Sequence, residues 1–478
     1  MSHSCLRVSL ASSAAMVLLG LYSAAFAQEP QNVPLPKNLE ETTQQAAPVA
    51  PVFAHNDSVL LKALAFAYEH NPQLEAQRKA QNSVDERVPQ ALAGALPAAS
   101  IGYEKGRRRS SQGGGWTYLD AEAQTLNVSQ PLFRGGQTWA NTKSARREVE
   151  AGRARLHAVE QEVLLNTATA YMDVVQAKSV VELSRKNLDV LEKQLVATSQ
   201  RFKVGEDTRT DVAQAEARVA AAKSQLTTNE GRLANAQAAF ERFVGYKPEA
   251  VVMPTASVTL PTSLEETLKL AEASNPRILE ASKLKESSDH QIDANAGRLL
   301  PSADIRGAMS RQEGVGFLNR GFDQDELLLT VSMPLFQNGA EYSRVRAAKE
   351  EYQRRRFTEI DAVVTVKQEA TSAWESWQAA KASLESDQAA IAAAKIALEG
   401  VRQEQQYGTR TTLDVLDAER ELFDSEVRYV ASQRNEVVAK YSLLAAIGQL
   451  TAESLKLDVA VYDPEDHFND VEYQFIGF

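Results

Sequence analysis

Two periodicities alternate along this chain. From Gln137 to Lys203, and again from Ala340 to Tyr407, the sequence runs without proline and carries apolar residues every seven positions. The first stripe is Val174, Val181, Leu188, Leu195 and Phe202; the second is Trp377, Leu384, Ile391 and Leu398. A seven-residue apolar repeat winds two helices into a supercoiled pair. Each stretch is therefore read as a helix of about 67 residues, roughly 100 Å long at 1.5 Å per residue. A shorter helix follows each, from Thr210 to Phe243 and from Thr411 to Ala446. Plain coiled-coil packing accounts for the stripe in full, so it speaks to architecture and says nothing of chemistry.

Ahead of each long helix the period changes to two. Segments Ala99 to Arg108 and Tyr118 to Phe133 alternate, as do Ser302 to Arg311 and Gln324 to Phe336. In the second, Leu119, Ala121, Ala123, Thr125 and Asn127 oppose Tyr118, Asp120, Glu122, Gln124, Leu126 and Val128. This is a strand pattern, weakly hydrophobic on either face. Gly113-Gly114-Gly115 joins the first pair, and Gly314, Gly316 and Gly321 lie in the counterpart, as turns at a solvent-exposed rim. Two readings fit: the outer-membrane barrel signature, or a pair of ordinary hairpins. Helical stretches precede the strands, from about Ser58 to Leu92 and Ser263 to Arg298, each ending at a Leu-Pro breaker. The two short helices of a copy together match its long one in length, so stacked end to end they would line it.

The chain is thus two copies of one plan, offset by about 203 residues. Asn71-Pro72 recurs as Asn275-Pro276, Leu96-Pro97 as Leu300-Pro301, and Ser129-Gln130-Pro131-Leu132-Phe133 as Ser332-Met333-Pro334-Leu335-Phe336. Gly205 with Asp211-Val212 becomes Gly408 with Asp414-Val415, and Val244-Gly245 becomes Ile447-Gly448. The organisation read from this is a first repeat at 57–246 (strands about 99–133, long helix about 137–203), a connector at 247–262 and a second repeat at 263–448 (strands about 302–336, long helix about 340–407). A C-terminal equatorial segment and tail, 449–478, completes it.

The N-terminus adds a destination. Arg7, the apolar run Val8 to Phe26 and Ala25-Phe26-Ala27 form a secretory signal peptide, 1–27, with an A-x-A cleavage site. A membrane anchor is the alternative, but the run is short and broken by Ser12, Ser13 and Ser23. The sole cysteine, Cys5, would leave with the leader, which excludes disulfides and thiol chemistry in the mature chain. Residues 28–56, rich in proline, glutamine and threonine, read as a flexible tail. The formal net charge of −11, one unit more negative without Arg7, argues against nucleic acid as a partner. No run of 18 apolar residues follows Gln28, so a membrane crossing would have to use strands.

Strand counting then demands assembly, because four strands leave two open edges in lipid and a barrel needs about eight or more. Two, three or more copies would close one, and the same axis would gather the helix pairs into a hollow cylinder. At this point the chain resembles the TolC-like outer-membrane efflux and secretion channels, from about Asp57 to Asp470. The most specific pieces are Arg201-Phe202-Lys203-Val204-Gly205 with Asp211-Val212, the run Tyr407-Gly408-Thr409-Arg410-Thr411-Thr412-Leu413-Asp414-Val415-Leu416-Asp417-Ala418, and the Pro-Leu-Phe segments ending the second and fourth strands. The resemblance implies a mainly α fold with a small transmembrane β part: a homotrimer with a 12-stranded β-barrel in the outer membrane of a Gram-negative bacterium and an α-helical barrel of long antiparallel coiled-coil helices in the periplasm. It also implies docking through a periplasmic adaptor protein to an inner-membrane ABC transporter or other pump. Val461-Tyr462-Asp463-Pro464 to Asp470 looks like the branch serving type I protein secretion. In many members an aromatic stands a few residues before the second tip glycine; here Tyr407 adjoins Gly408.

The same resemblance implies a gate at the tip turns. It carries over Asp414 and Asp417 as an acidic constriction, with Arg410 linking to Asp211 of the first turn. Asp414 and Asp417 are three apart on a helix and share a face, so threefold symmetry would place six carboxylates around one opening, a ring favouring cations. The residues alone leave another reading open for Asp211 and Asp414, as first-turn acids stabilising the helix dipole beside capping threonines Thr208, Thr210 or Thr411. Gly205 and Gly408 serve the tight turn and the flat tip where an adaptor would dock. For catalysis the chain offers scattered histidines, His55, His70, His157, His290 and His467, with no H-x-x-H pair, nucleophile elbow or phosphate loop, so no enzyme activity, metal or cofactor is expected. Two alternatives remain: a small-molecule or drug efflux duct of the same fold, and a periplasmic coiled-coil scaffold with incidental hairpins.

Overall fold

A computed structural model describes residues 58–112, 115–248, 251–254, 259–315 and 320–477. The signal peptide with Cys5, the tail at 28–56, His55, Gly113, Gly114, Gly316 and parts of the connector lie outside the described residues. The elements run α1 (Ser58–His70), α2 (Pro72–Asp85), α3 (Arg87–Leu92), a 3-10 turn (Ala93–Ala95), β1 (Ala98–Gln112), β2 (Gly115–Arg134), α4 (Gln137–Lys203) and α5 (Arg209–Val244). The second copy gives α6 (Leu264–Ser274), α7 (Pro276–Gly297), β3 (Ser302–Val315), β4 (Arg320–Ser332), α8 (Ala340–Gln406) and α9 (Thr412–Ala446), followed by α10 (Pro464–Val471).

The helical stretches expected ahead of the strands are interrupted, and the recurring Asn-Pro explains why. Asn71 caps α2 by accepting from the Gln73 and Leu74 amides, while its Nδ2 donates 2.8 Å to the Phe243 carbonyl at the end of α5. Asn275 repeats the arrangement, accepting from the Arg277 amide and donating 3.0 Å to the Ala446 carbonyl. Proline at the first helical position gives up no hydrogen bond there, because that amide has no partner within the helix. Each asparagine thus starts one helix and closes the carbonyl end of another.

The short helices do not simply line the long helix of their own copy. α4 packs against α5 and α1 to α3, and α7 of the second copy packs against α4 as well as α8. The sequence supplies the charges for this bridge. Arg147 meets Glu286 at 3.0 Å and Lys283 meets Glu150 at 2.9 Å on the α4 side, while Lys285 reaches Glu359 at 2.7 Å on the α8 side. Heptad periodicity specifies an apolar seam but not which of several amphipathic helices fills it. The main core lies where α1, α4, α5, α9 and the segment after α9 converge, around Leu60, Leu64, Leu164, Tyr171, Phe240 and Ile447. Tyr171 hydrogen-bonds both backbone groups of Val252, pinning the connector, and buried Glu160 accepts from the Ala452 amide, pinning the C-terminal segment.

The four strands form one antiparallel meander, β1-β2-β3-β4, with β1 and β4 as open edges. Pairing runs to the hairpin end, Gln112 opposite Gly115, so Gly115, Gly314 and Gly321, expected in turns, lie within strands instead. One face carries Ile101, Tyr103, Leu126, Val128, Ile305, Met309, Leu327, Leu329 and Val331; the other carries Gly102, Glu104, Thr125, Asn127, Ala308, Ser310, Gln324 and Glu326. On the first face these residues form an exposed apolar belt, which is what lipid solvates, and toward the hairpin ends the same face continues with Lys105, Arg107, Asp120, Glu122, Arg311 and Asp325 beside Trp116 and Tyr118. Among the described residues no helix is long and apolar enough to cross a membrane. Pro131-Leu132-Phe133 lies inside β2, but its counterpart Pro334-Leu335-Phe336 falls beyond the end of β4, not within it as expected. The difference follows from pairing: β2 is hydrogen-bonded on both sides, β4 on one.

Candidate functional site

The two tips are built alike. Each long helix ends at a glycine in the left-handed region, Gly205 at φ +84° and Gly408 at φ +76°, where a Cβ would be strained. Paired backbone bonds close each end, Gly205 to Phe202 and Glu206 to Arg201 in the first, Gly408 to Gln405 and Thr409 to Glu404 in the second. Capping boxes open the following helices. Asp211 accepts from the Thr208 amide and hydroxyl at 2.9 and 2.6 Å, and Asp414 accepts from those of Thr411 at 2.8 Å each. Hydrogen bonds from Thr208, the hydroxyl foremost, hold the Asp211 carboxyl below its ordinary range; for Asp414 the Thr411 amide leads, then the hydroxyl. The geometry thus gives both aspartates a capping role.

Charges across each turn are exchanged. Arg201 pairs with Asp207 at 2.8 Å in the first turn; the equivalent positions of the second hold Glu404 and Arg410, paired at 2.9 Å. Arg410 is therefore committed to Glu404, with Asp414 at 3.9 Å, and within the protomer it does not reach Asp211. Glu404, six residues back across the same turn, is the nearer carboxylate within the protomer. Near the tips the two repeats are joined by the ion pair of Arg218 of α5 with Asp417 of α9, at 2.7 Å, and by Leu416 packed in a cluster with Leu191, Val219 and Ala222. Arg218 was missed by sequence reasoning. Its signal was its place seven residues after Asp211, on the same face of α5. Asp417 and Asp414 share a face of α9 as anticipated, but only Asp417 faces the other hairpin with an ion pair. Val204 and Tyr407, at equivalent positions beside the tip glycines, are 72% and 85% exposed.

A long duplicated hairpin carrying a lipid-suited sheet at one end and paired polar turns at the other is a duct subunit in outline, and the comparisons with known proteins name its family. The sequence model described as "Outer membrane efflux protein" matches residues 64–246 and 267–449, one match per repeat. The chain belongs to that family. Among its relatives, the outer membrane efflux protein BepC of Brucella suis biovar 1 is 33% identical over 420 residues, covering 87% of this chain and 91% of the relative. The outer membrane protein TolC of Escherichia coli K12 is 23% identical over 400 residues, 80% of this chain and 81% of the relative. Among solved structures, the Campylobacter jejuni CmeC outer membrane channel has the same fold, with a TM-score of 0.74 at 15% identity, covering 93% of this chain and 98% of that one. This member of the outer membrane efflux protein family is accordingly an outer-membrane export duct. The family consists of channel proteins, not enzymes.

Proposed function

We propose that three copies close a 12-stranded barrel in the outer membrane and a helical tunnel in the periplasm, forming the exit duct of a tripartite export system with a periplasmic adaptor and an inner-membrane ABC transporter or other pump. The observation that carries this reading is the sheet with two open edges and an exposed apolar belt on one face, since lipid tolerates no unpaired strand edge. The long helix α8 supports it: Phe357, Ile360 and Val364 form an exposed apolar stripe at helical spacing, and few α8 residues are buried beside the many of α4. The first substrate reading is type I protein secretion, which the C-terminal stretch from Val461 to Asp470 supports. Small-molecule efflux is the second, favoured by the likeness to the outer membrane efflux protein BepC.

At the periplasmic mouth Asp414, Asp417, Arg410 and Asp211 form the constriction, with Arg218 as the latch on Asp417. Gly205 and Gly408, flanked by exposed Val204 and Tyr407, present the tips to the adaptor. Crosslinking in cells followed by identification of the captured adaptor and pump tests the whole scheme. A peptidase-like ABC transporter supports secretion, and a proton-driven pump supports efflux. Recovery as a soluble periplasmic protein, without a heat-modifiable trimer in the outer-membrane fraction, would overturn the duct in favour of a scaffold.

A further inference from the structure

The internal duplication carries information about a contact that a single chain does not contain. The segment leading into β1 maps onto that leading into β3 with an offset of 204 residues, Leu96-Pro97 to Leu300-Pro301, and β2 maps onto β4 with an offset of 203, Pro131 to Pro334. The hairpins obey these offsets independently, since Ile101 opposite Leu126 in one becomes Ile305 opposite Leu329 in the other. The pairing of β2 with β3 joins the end of one copy's hairpin to the start of the next, and its pseudo-symmetric counterpart is β4 paired with the β1 of another molecule.

We propose that β4 of one protomer pairs with β1 of a second copy of this chain in the register Asp325 to Arg109, Leu327 to Arg107, Leu329 to Lys105 and Val331 to Tyr103. The four contacts are the images of Glu122–Glu313, Gln124–Arg311, Leu126–Met309 and Val128–Gly307 between β2 and β3. The seam rests on the closed-barrel reading above and gives it a register.

Three observations on the open edges support this alignment. It sets outward-facing residues opposite outward-facing ones, whereas a slip of one residue would turn the apolar belt of one strand toward the polar face of its neighbour. It also satisfies charges left over on the edges. Among the described residues, Lys105 and Arg107 already pair with Glu122 and Asp120, but Arg109 only stacks over Trp116 and Asp325 has no cation beside it. The inner contact sets Glu122 against Glu313, two like charges; the same place in the seam sets Asp325 against Arg109, an attractive pair. Finally, β4 stops at Ser332 although its counterpart β2 continues to Arg134, and the residues that would extend it, Met333 to Phe336, fall opposite the start of β1 in this register.

The competing registers are shifts of two, which keep the faces but would set Asp325 against Ser111 or against Arg107, the latter already held by Asp120. Cysteine pairs separate them in a Cys5→Ser background, which removes the only native thiol. Neighbouring cross-strand pairs alternate between hydrogen-bonded and closer non-hydrogen-bonded geometry. Two predicted pairs are therefore made in the full chain, Val331→Cys with Tyr103→Cys and Thr330→Cys with Glu104→Cys. Protein extracted from outer membranes is oxidised and run without reductant after heat denaturation. At least one of these pairs is expected to give covalent dimers and trimers, while Val331→Cys with Ile101→Cys or with Lys105→Cys stays at the level of the single-cysteine controls. Stronger linkage by a shifted pair, or no linkage by any pair in a chain that is oligomeric in mild detergent, overturns the register and leaves the assembly standing. A chain that is monomeric before oxidation overturns the assembly as well. An independent arm reverses the edge charges: Arg109→Asp or Asp325→Arg alone should lower the heat resistance of the oligomer, and the double reversal should restore it. Absence of that rescue counts against the pair.

Discussion

The ion pair of Arg218 with Asp417 is the most direct handle on the proposed gate. Its N to O distance is 2.7 Å, and the two side chains are 30% and 58% exposed, so solvent screens it. An exposed pair of this kind contributes about 0.2–1 kcal/mol. If three protomers open together, the contributions add to roughly 0.6–3 kcal/mol, and at about 1.4 kcal/mol per tenfold this corresponds to a change of about 3- to 150-fold in the ratio of open to closed channels. Arg218→Gln and Asp417→Asn are each expected to raise the open fraction in planar bilayers by a similar factor, with the double variant no more open than either single one. The two singles should separate in their response to multivalent cations added on the periplasmic side. Arg218→Gln uncovers the carboxylate and strengthens block; Asp417→Asn removes it and weakens block. Fully additive effects on opening would mean the two residues do not act on each other, and the latch would have to be abandoned.

Other residues give further outcomes. Asn71→Ala and Asn275→Ala each lose a helix cap and an amide-to-carbonyl bond, together about 2 kcal/mol, so both should lower the unfolding temperature; an unchanged transition would show that the recurring Asn-Pro is not a pin. Gly408→Ala must hold an alanine at φ +76°, at a cost of about 1–2 kcal/mol, read in the same melt, and equal stability would mean the turn rearranges freely. The hydrogen bond to Glu160 raises His157 above its ordinary 6.5, so protonated His157 adds stability that is complete below pH 6.5 and is lost as pH rises through the raised value. His157→Gln should abolish that loss above pH 6.5. Persistence of the same pH dependence in the variant would assign it elsewhere.

How much of this was legible in advance depended on what kind of information each feature carries. The long helices, their seams and the strands are local periodicities, and Val174 and Val181 are indeed buried where the heptad stripe begins. Toward the tip the same stripe fades, with Phe202 substantially exposed, because fewer helices surround it there. Strand ends were less legible, since β4 needs a partner that lies outside the chain, and glycines at a hairpin look alike whether they turn or pair. The docking of α7 between α4 and α8 was hidden because Lys283, Lys285 and Glu286 form an ordinary charged helix face until their partners are known. At the tips, the capping role of Asp211 and Asp414 could be read from threonine three residues before each. The partner of Arg410 could not, because a flexible guanidinium beside several carboxylates is assigned by distance alone.

The exchanged charges of the tip turns have a consequence for whatever reads them. Arg201–Asp207 and Glu404–Arg410 occupy the same places in the same backbone, so the two turns are alike in outline and opposite in polarity. Around a threefold axis, a binder that senses contour alone would encounter six interchangeable steps. One that senses the direction of the electric field would encounter three, alternating with three of reversed sign. The duplication has preserved the mould while inverting its label, and the stoichiometry a binder perceives therefore depends on which of the two it recognises.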